Sequence, residues 1–409
     1  MQIYIGVDWS ERSHDITFVN EAGQIVVHKV ISHSQEGFLE IQALRQQLHV
    51  EVKDCVVGIE TAHSQLVDTL WDWGYQQVYV LPPNAVNKAR SLYKSNRVRT
   101  DESDSWLVAD LIRNDRFKFH PWFPDSELTR QIRASVRLSL TLDQEIHRLS
   151  NQLRSVLMRY YPAATTIFSG LDGKVSLDFI KAYPDPRAVC KITYAEFEQF
   201  AAKQGYRCRK NLPACYKRLR SDFPDADPTT IQVYQPITLR LVNLLMPMVQ
   251  QHNELLRQIS QLYKQHPDAE IFSSLPGAGT LLEPALLAKF GDDRRRFPSP
   301  AALQALAGTC PVTDASGKRK AIYFRRACDH EFRWIVHQWA LCSTRSSDWA
   351  STYFEQVRAR GHPKPHALRC LANRWLAIAW RLWQDHTTYD ESIHLTNRAN
   401  RSKPKTQNP

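Results

Sequence analysis

The chain has no run of 18 consecutive apolar residues, roughly the minimum for a helix that crosses a bilayer. A membrane-spanning role is therefore not expected. Its N-terminus opens directly on a strand pattern and lacks the layout of a secretory signal. Cysteines are few and scattered. Eight occur, and the nearest pair, Cys208 and Cys215, does not have the spacing of a zinc knuckle. They are expected to be reduced, mostly buried thiols of a cytoplasmic, nucleoid-associated protein. Acidic residues are also in short supply: 42 Asp and Glu stand against 53 Lys and Arg, a net charge of +11. Such an excess of positive charge points to a polyanionic partner, DNA or RNA.

Among those acids, four stand where a metal-dependent nuclease would need them. Asp8 ends the apolar run Ile3-Tyr4-Ile5-Gly6-Val7, and Glu60 ends a second one, Cys55-Val56-Val57-Gly58-Ile59. Asp101 and Asp104 open a predicted helix over 101–113, one turn apart and so on one face. Converging carboxylates repel one another unless cations lie between them, and hard ions such as Mg²⁺ prefer oxygen ligands. Two such ions can clamp the attacking and leaving oxygens of a phosphodiester. Any one acid at a strand end reads equally well as a solvated turn residue. The order of elements gives the set its weight. A strand over 15–20, the turn Glu21-Ala22-Gly23 and a strand over 24–30 complete a meander behind Asp8. A helical pattern (Phe38, Leu39, Ile41, Leu44, Leu48), the strand ending at Glu60, a helix over 64–73 and a strand over 77–81 follow.

The length of 409 residues allows two or three domains. The expected class is α/β plus α: an α/β domain over 1–118, long coiled-coil helices with a basic insert over 119–267, a helical domain over 268–390, and a disordered basic tail over 391–409. Heptad spacing runs through Leu142, Ile146, Leu149, Leu153 and Val156. It recurs through Leu241, Leu245, Met248, His252, Leu255, Ile259 and Leu262. Periodicity leaves open whether these two seams pair within one chain or between chains. His252 reads as a register or packing feature, and Pro247 should kink its helix. The insert over 162–235 holds Arg207, Arg209, Lys210, Lys217, Arg218 and Arg220 interleaved with Tyr206 and Tyr216. That composition suits phosphate contact with base stacking, and equally a solvated charged face.

The third region opens on Leu275-Pro276-Gly277-Ala278-Gly279, a pattern that suits a helix-hairpin-helix turn. There Gly277 and Gly279 would let backbone N–H groups approach a phosphate. Three basic clusters follow: Arg294-Arg295-Arg296, Lys318-Arg319-Lys320 and Arg325-Arg326. Trp334, Trp339, Trp375, Trp380 and Trp383 have core spacing. Ser316 lies in a predicted loop, Pro311 to Lys320. A serine hydroxyl can attack phosphorus when a metal or base activates it, but nothing in the composition prefers Ser316 to other loop serines.

These motifs, in this order, resemble the DEDD transposases of the insertion-sequence 110 family, RNA-bridged recombinases. The N-terminal part resembles their RuvC-like domain through Ile5-Gly6-Val7-Asp8, Gly58-Ile59-Glu60 and Arg99-Thr100-Asp101-Glu102-Ser103-Asp104. The C-terminal part resembles their transposase domain through Leu275-Pro276-Gly277-Ala278-Gly279, Phe297, Leu306-Ala307-Gly308-Thr309-Cys310-Pro311 and Ser316-Gly317-Lys318. Arg325-Arg326-Ala327-Cys328 and Arg360-Gly361-His362 also fit. Two departures are Ala278, where a bulkier residue is common, and the length of the insert.

The resemblance implies a ribonuclease H-like fold with Asp8, Glu60, Asp101 and Asp104 binding Mg²⁺, and Ser316 as nucleophile. It further implies donor and target DNA as substrates, a structured guide RNA encoded by the element, and dimers that become tetramers on DNA. Two other readings of the same residues are a junction-resolving nuclease using metal-activated water, with Ser316 idle, and a non-enzymatic DNA-binding protein.

Overall fold

The computed structural model describes residues 1–60, 65–92, 101–221, 223, 226–316 and 319–393, without the side chains of Leu92, Asp101 and Glu102. The chain divides into two compact units. Unit 1 is Met1–Asp125 with Asp293–Pro298, and unit 2 is Ser126–Asp292 with the chain from Ser299 onward.

Unit 1 is built on a five-stranded sheet. Its strands are β1 (Ile3–Trp9), β2 (Ser13–Val19), β3 (Ile25–Ser32), β4 (Cys55–Ile59) and β5 (Val78–Val80), in the order β3-β2-β1-β4-β5. The meander β1-β2-β3 is antiparallel, whereas β4 runs parallel to both β1 and β5. Four helices flank it: α1 (Gln35–Gln47), α2 (Gln65–Asp72), α3 (Pro83–Leu92) and α4 (Asp101–Asp115). All of these except α3 are predicted from the sequence.

Strand parity divides the core in two. Ile3, Ile5 and Val7 of β1, with Cys55, Val57 and Ile59 of β4, pack with Phe38 and Ile41 of α1 and Leu66, Val67 and Leu70 of α2. The alternate residues Tyr4 and Val56 face the other way, among Val86 and Ala89 of α3 and Leu107, Val108, Leu111 and Ile112 of α4. Central strands covered on both faces read as continuous apolar runs, which is why β1 and β4 were so visible in the sequence.

Two glycines let α4 lie directly on the sheet. A Cβ on Gly6 would stand 1.9 Å from the Ser105 carbonyl oxygen and 2.5 Å from the Ala109 nitrogen. One on Gly58 would meet Val108 and Ile112 at 2.9 Å. Even alanine at Gly6 would drive the helix off the strand, because the obstacle is helix backbone and cannot rotate away. A buried hydrogen bond of 2.7 Å between the hydroxyls of Thr17 and Ser105 fixes the same helix to β2.

In unit 2, α5 (Glu127–Tyr160) and α10 (Pro228–Lys264) are the long helices. Between them lie α6 (Lys174–Ala182), α7 (Pro186–Val189), α8 (Tyr194–Lys203) and α9 (Leu212–Leu219). The remainder comprises α11 (Ala269–Ser273), α12 (Gly279–Phe290), α13 (Pro300–Leu306), the hairpin β6 (Val312–Ser316) and β7 (Arg319–Tyr323), α14 (His330–Ser343), α15 (Asp348–Ala359) and α16 (Lys364–Asp385). The α10 helix starts at Pro228, inside the expected insert, and remains helical through Pro236 and Pro247.

The two heptad seams pair within the chain. Leu149, Leu153 and Leu157 of α5 share one buried cluster with Leu241, Val242 and Leu245 of α10, and the insert helices join it. His252 is a packing feature, its Nε2 3.0 Å from the Ser139 hydroxyl. Trp339, Trp375 and Trp383 are buried as expected, whereas Trp334 is 39% exposed. The cysteines are free, but only Cys55 and Cys215 are buried and Cys190 and Cys208 are exposed, which corrects the expectation of mostly buried thiols. The expected tail over 391–409 lies outside the described residues from 394 onward.

Candidate catalytic sites

The same parity that buries Val7 and Ile59 on one face turns Asp8 to the other, and Glu60 directly follows β4. Gly6 and Gly58 meet α4, and side chains two residues further along a strand point to the same side. Val7 pairs with Ile59 in the parallel register, so Asp8 and Glu60 follow side by side at the ends of adjacent strands.

The direction of α4 brings its first turn to that end. Gly6 lies under Ser105 and Ala109, Gly58 under Val108 and Ile112, and Arg116, just past the helix, sits over the Tyr4 ring at 5.8 Å. The helix therefore runs antiparallel to β1 and starts beyond Gly6, on the Asp8 side. Asp101 and Asp104 occupy this first turn, where the helix dipole favours carboxylates. Sequence positions separated by nearly a hundred residues thus meet at one edge of one sheet face.

Asp104 is buried, and its carboxylate is held by Arg90 of α3: Nε donates to Oδ1 at 3.2 Å and Nη2 stands 3.1 Å from Oδ2. A fifth carboxylate, Asp15, lies directly opposite Asp8 in the β1–β2 register. It faces His28 Nε2 at 3.1 Å. Arg90 and Asp15 were both missed in the sequence, since neither ends an apolar run or opens a helix. His14 lies on the opposite sheet face with Ile16 and Phe18. Burial first, then the neighbouring His33, pushes it down to about 4, so it is neutral at physiological pH and brings no positive charge to the carboxylates.

The donor chemistry of this edge fits a hard divalent cation, because every one of these acids is an oxygen donor. Among the described residues no three His, Cys, Asp or Glu side chains already form a cage. The Asp101 side chain lies outside that description, and Asp104 has a guanidinium against it.

Ser316 belongs to unit 2. It is the last residue of β6, exposed, and paired in register with Arg319 of β7. The expected loop from Pro311 to Lys320 is therefore largely a hairpin, exposed on both strands. Gly317 and Lys318 lie outside the described residues. Arg319 and Lys320 are exposed. Arg325 contributes its carbonyl oxygen as acceptor for Arg333, and Arg326 is exposed. Arg333 and Arg369 both stack against Phe324, at 4.6 and 4.8 Å, a cationic pair with no signal in the sequence.

Other expected phosphate contacts take different roles. Gly277 has a left-handed φ of 73°, and a Cβ there would stand 2.6 Å from the Cys342 and Ser343 backbone. It lets α14 pack against the turn. Gly279, exposed at the start of α12 with open space around it, keeps its access. The run Arg294-Arg295-Arg296 lies in unit 1. Arg295 bonds Asp293 at 2.8 Å and stacks on Phe123 at 4.2 Å, while Arg296 stands 3.8 Å from Asp125. In the insert, Tyr216 donates to the Ile192 carbonyl and Tyr206 packs against the core, so these rings are committed to the fold.

Residues 5–162 match a DEDD transposase family of the IS110 type, and residues 269–355 match the transposase IS116/IS110/IS902 family. The chain is similar to the "Mini-circle putative transposase for IS117" of Streptomyces coelicolor, 27% identical over 398 residues that span 96% of both chains. It is also similar to an insertion element IS110 protein of the same species, 24% identical over 96% of each chain. An insertion element IS900 protein of Mycobacterium paratuberculosis is 23% identical over 95% of this chain and 97% of its own.

Proposed function

We propose that this chain, which matches IS110-type transposase families over residues 5–162 and 269–355 and is similar to a putative IS117 transposase along 96% of its length, moves its insertion sequence by Mg²⁺-dependent strand cleavage and exchange through a serine–DNA ester. The observation that carries this reading is the strand register that puts Asp8 beside the end of β4, which Glu60 follows, with the first turn of α4 running toward the same edge. The sheet order β3-β2-β1-β4-β5, with three antiparallel strands and two parallel ones, supports a ribonuclease H-like (RuvC-like) reading of unit 1.

In this reading Asp8, Glu60, Asp101 and Asp104 hold the metal ions, which supply charge stabilisation at the reacting phosphate. The Ser316 hydroxyl would attack the phosphodiester, forming an O–P bond to the protein as the bond to the leaving oxygen breaks and that oxygen takes up the proton the serine gives up. The ester conserves the energy of the cut linkage, so a second strand can displace the serine without a high-energy cofactor. Arg319, Lys320 and Arg326 on and beside the hairpin offer positive charge to the phosphates.

A structured RNA from the element would select donor and target DNA by base pairing. The net charge of +11 supports a polyanionic partner of this kind. Protein expressed with its flanking DNA is expected to carry one discrete RNA, bound with an affinity that falls steeply as salt rises. Recovery of heterogeneous RNA only, with recombination surviving ribonuclease, would rule the guide out. Assembly into dimers, and tetramers on DNA, would not use the heptad seams, which are consumed within the chain. It would draw on outer positions such as Leu138, Met158, Val233 and Leu244, all more than half exposed. A monomer by light scattering, with and without nucleic acid, would exclude it.

A further inference from the structure

Arg90 has three hydrogen-bonding nitrogens engaged, and the arrangement is directional. Its Nη1 donates to the Asn87 side-chain oxygen at 2.8 Å, which sets the plane of the guanidinium from within α3. The remaining edge, Nε and Nη2, meets both oxygens of Asp104. The Asp104 side chain is only 9% exposed. A carboxylate withdrawn that far from water costs free energy unless it is paired or hydrogen-bonded, and Arg90 supplies a cation to it. Both α3 and α4 are anchored in the same core, through Val86 and Ala89 on one side and Leu107 and Val108 on the other. The pair is therefore held by packing on each side.

We propose that Arg90 is a positioning residue that stands in for the metal at Asp104 and must release that carboxylate when a divalent ion binds. The inference rests on the metal reading given above. A bidentate guanidinium occupies the two oxygens that a metal would use, so pairing and metal binding compete. The competition gives the pair a purpose: it holds the helix start and its acids in place before the ion arrives, and it sets a threshold ion concentration for loading.

The test is Mn²⁺ binding, followed by electron paramagnetic resonance on the full-length, nuclease-treated chain. Wild type would be compared with Arg90→Ala, Arg90→Lys, Asp8→Asn and the Arg90→Ala/Asp104→Asn pair, each with thermal unfolding in chelator and in Mn²⁺. Arg90→Ala is expected to bind Mn²⁺ about tenfold more tightly, equivalent to ~1.4 kcal/mol. It should melt lower than wild type in chelator and recover most of that loss in Mn²⁺. Arg90→Lys, which keeps charge but not the fork, should fall between. The gain in affinity should vanish once Asp104 is also replaced.

Unchanged or weaker Mn²⁺ binding in Arg90→Ala, with binding still lost in Asp8→Asn, would overturn the stand-in role and leave the metal reading intact. An equal melting loss with and without Mn²⁺ would do the same, because a purely structural salt bridge gives that result. Should Arg90→Ala fail to fold in either buffer, Arg90→Lys carries the comparison. Wild type binding no Mn²⁺ that depends on Asp8 would overturn the metal reading and this proposal together.

Discussion

Replacing Ser316 by alanine is expected to abolish DNA cleavage, by roughly the 10⁶-fold seen when an essential nucleophile is removed, while nucleic-acid binding persists. Ser316 is exposed at the end of β6, so the change removes one hydroxyl from a solvated hairpin and leaves no cavity. Binding of a polyanion by a chain of charge +11 is spread over many phosphate contacts, to which one neutral hydroxyl adds little. Wild-type protein on a nicked suicide substrate should trap DNA joined through this residue. A cysteine at the position could retain slow activity, although thiolate is a poor match for a site built around hard ions. Intact cleavage by Ser316→Ala, with no protein-linked DNA from wild type, would favour a junction-resolving nuclease in which metal-activated water attacks and the carboxylates are the whole site.

Loss of any one of the four acids is expected to lower recombination by orders of magnitude, since each is assigned to hold metal at the reacting phosphate. Their effects on folding should differ. At Asp8 or Glu60, an amide keeps the side chain's size and removes one of several like charges, so the fold should survive. Asp104→Asn breaks the bidentate pair with Arg90 and should cost ~2 kcal/mol of stability, less than the ~3–5 kcal/mol of a fully buried pair because Arg90 is partly exposed. The measurement is recombination rate beside thermal unfolding for each variant. Normal recombination by Asp104→Asn, or by wild type in excess chelator, would end the metal assignment.

The carboxylate edge was legible because its determinants are local. An apolar run marks a buried central strand, a period of two says which side a residue takes, and spacing of three places Asp101 and Asp104 on one side of a helix. Gly6 and Gly58 carried a further signal, two bare positions each two residues before an acid, whose meaning emerged only when α4 was found lying on them. The hairpin at Ser316 was harder. Its strands, Val312–Ser316 and Arg319–Tyr323, are exposed and show no alternation of apolar and polar residues to betray them.

The sequence by itself determined the order of the strands and of α1, α2 and α4 in unit 1, the acids at the strand ends and the basic balance of the chain. Each of these follows from neighbours within a few residues. The tertiary structure alone decided what depends on which distant surfaces meet. Two heptad seams look the same whether they bind a second copy or each other, and here α5 and α10 bury them together. The arginines at 294–296 read as part of a helical region, yet Asp293–Pro298 belongs to unit 1, with Arg295 on Phe123. Gly277 read as an approach for phosphate, and is filled by the end of α14. Arg90 gave no signal, because a single arginine on a short helix acquires its role only when the carboxylate 14 residues onward is packed beside it.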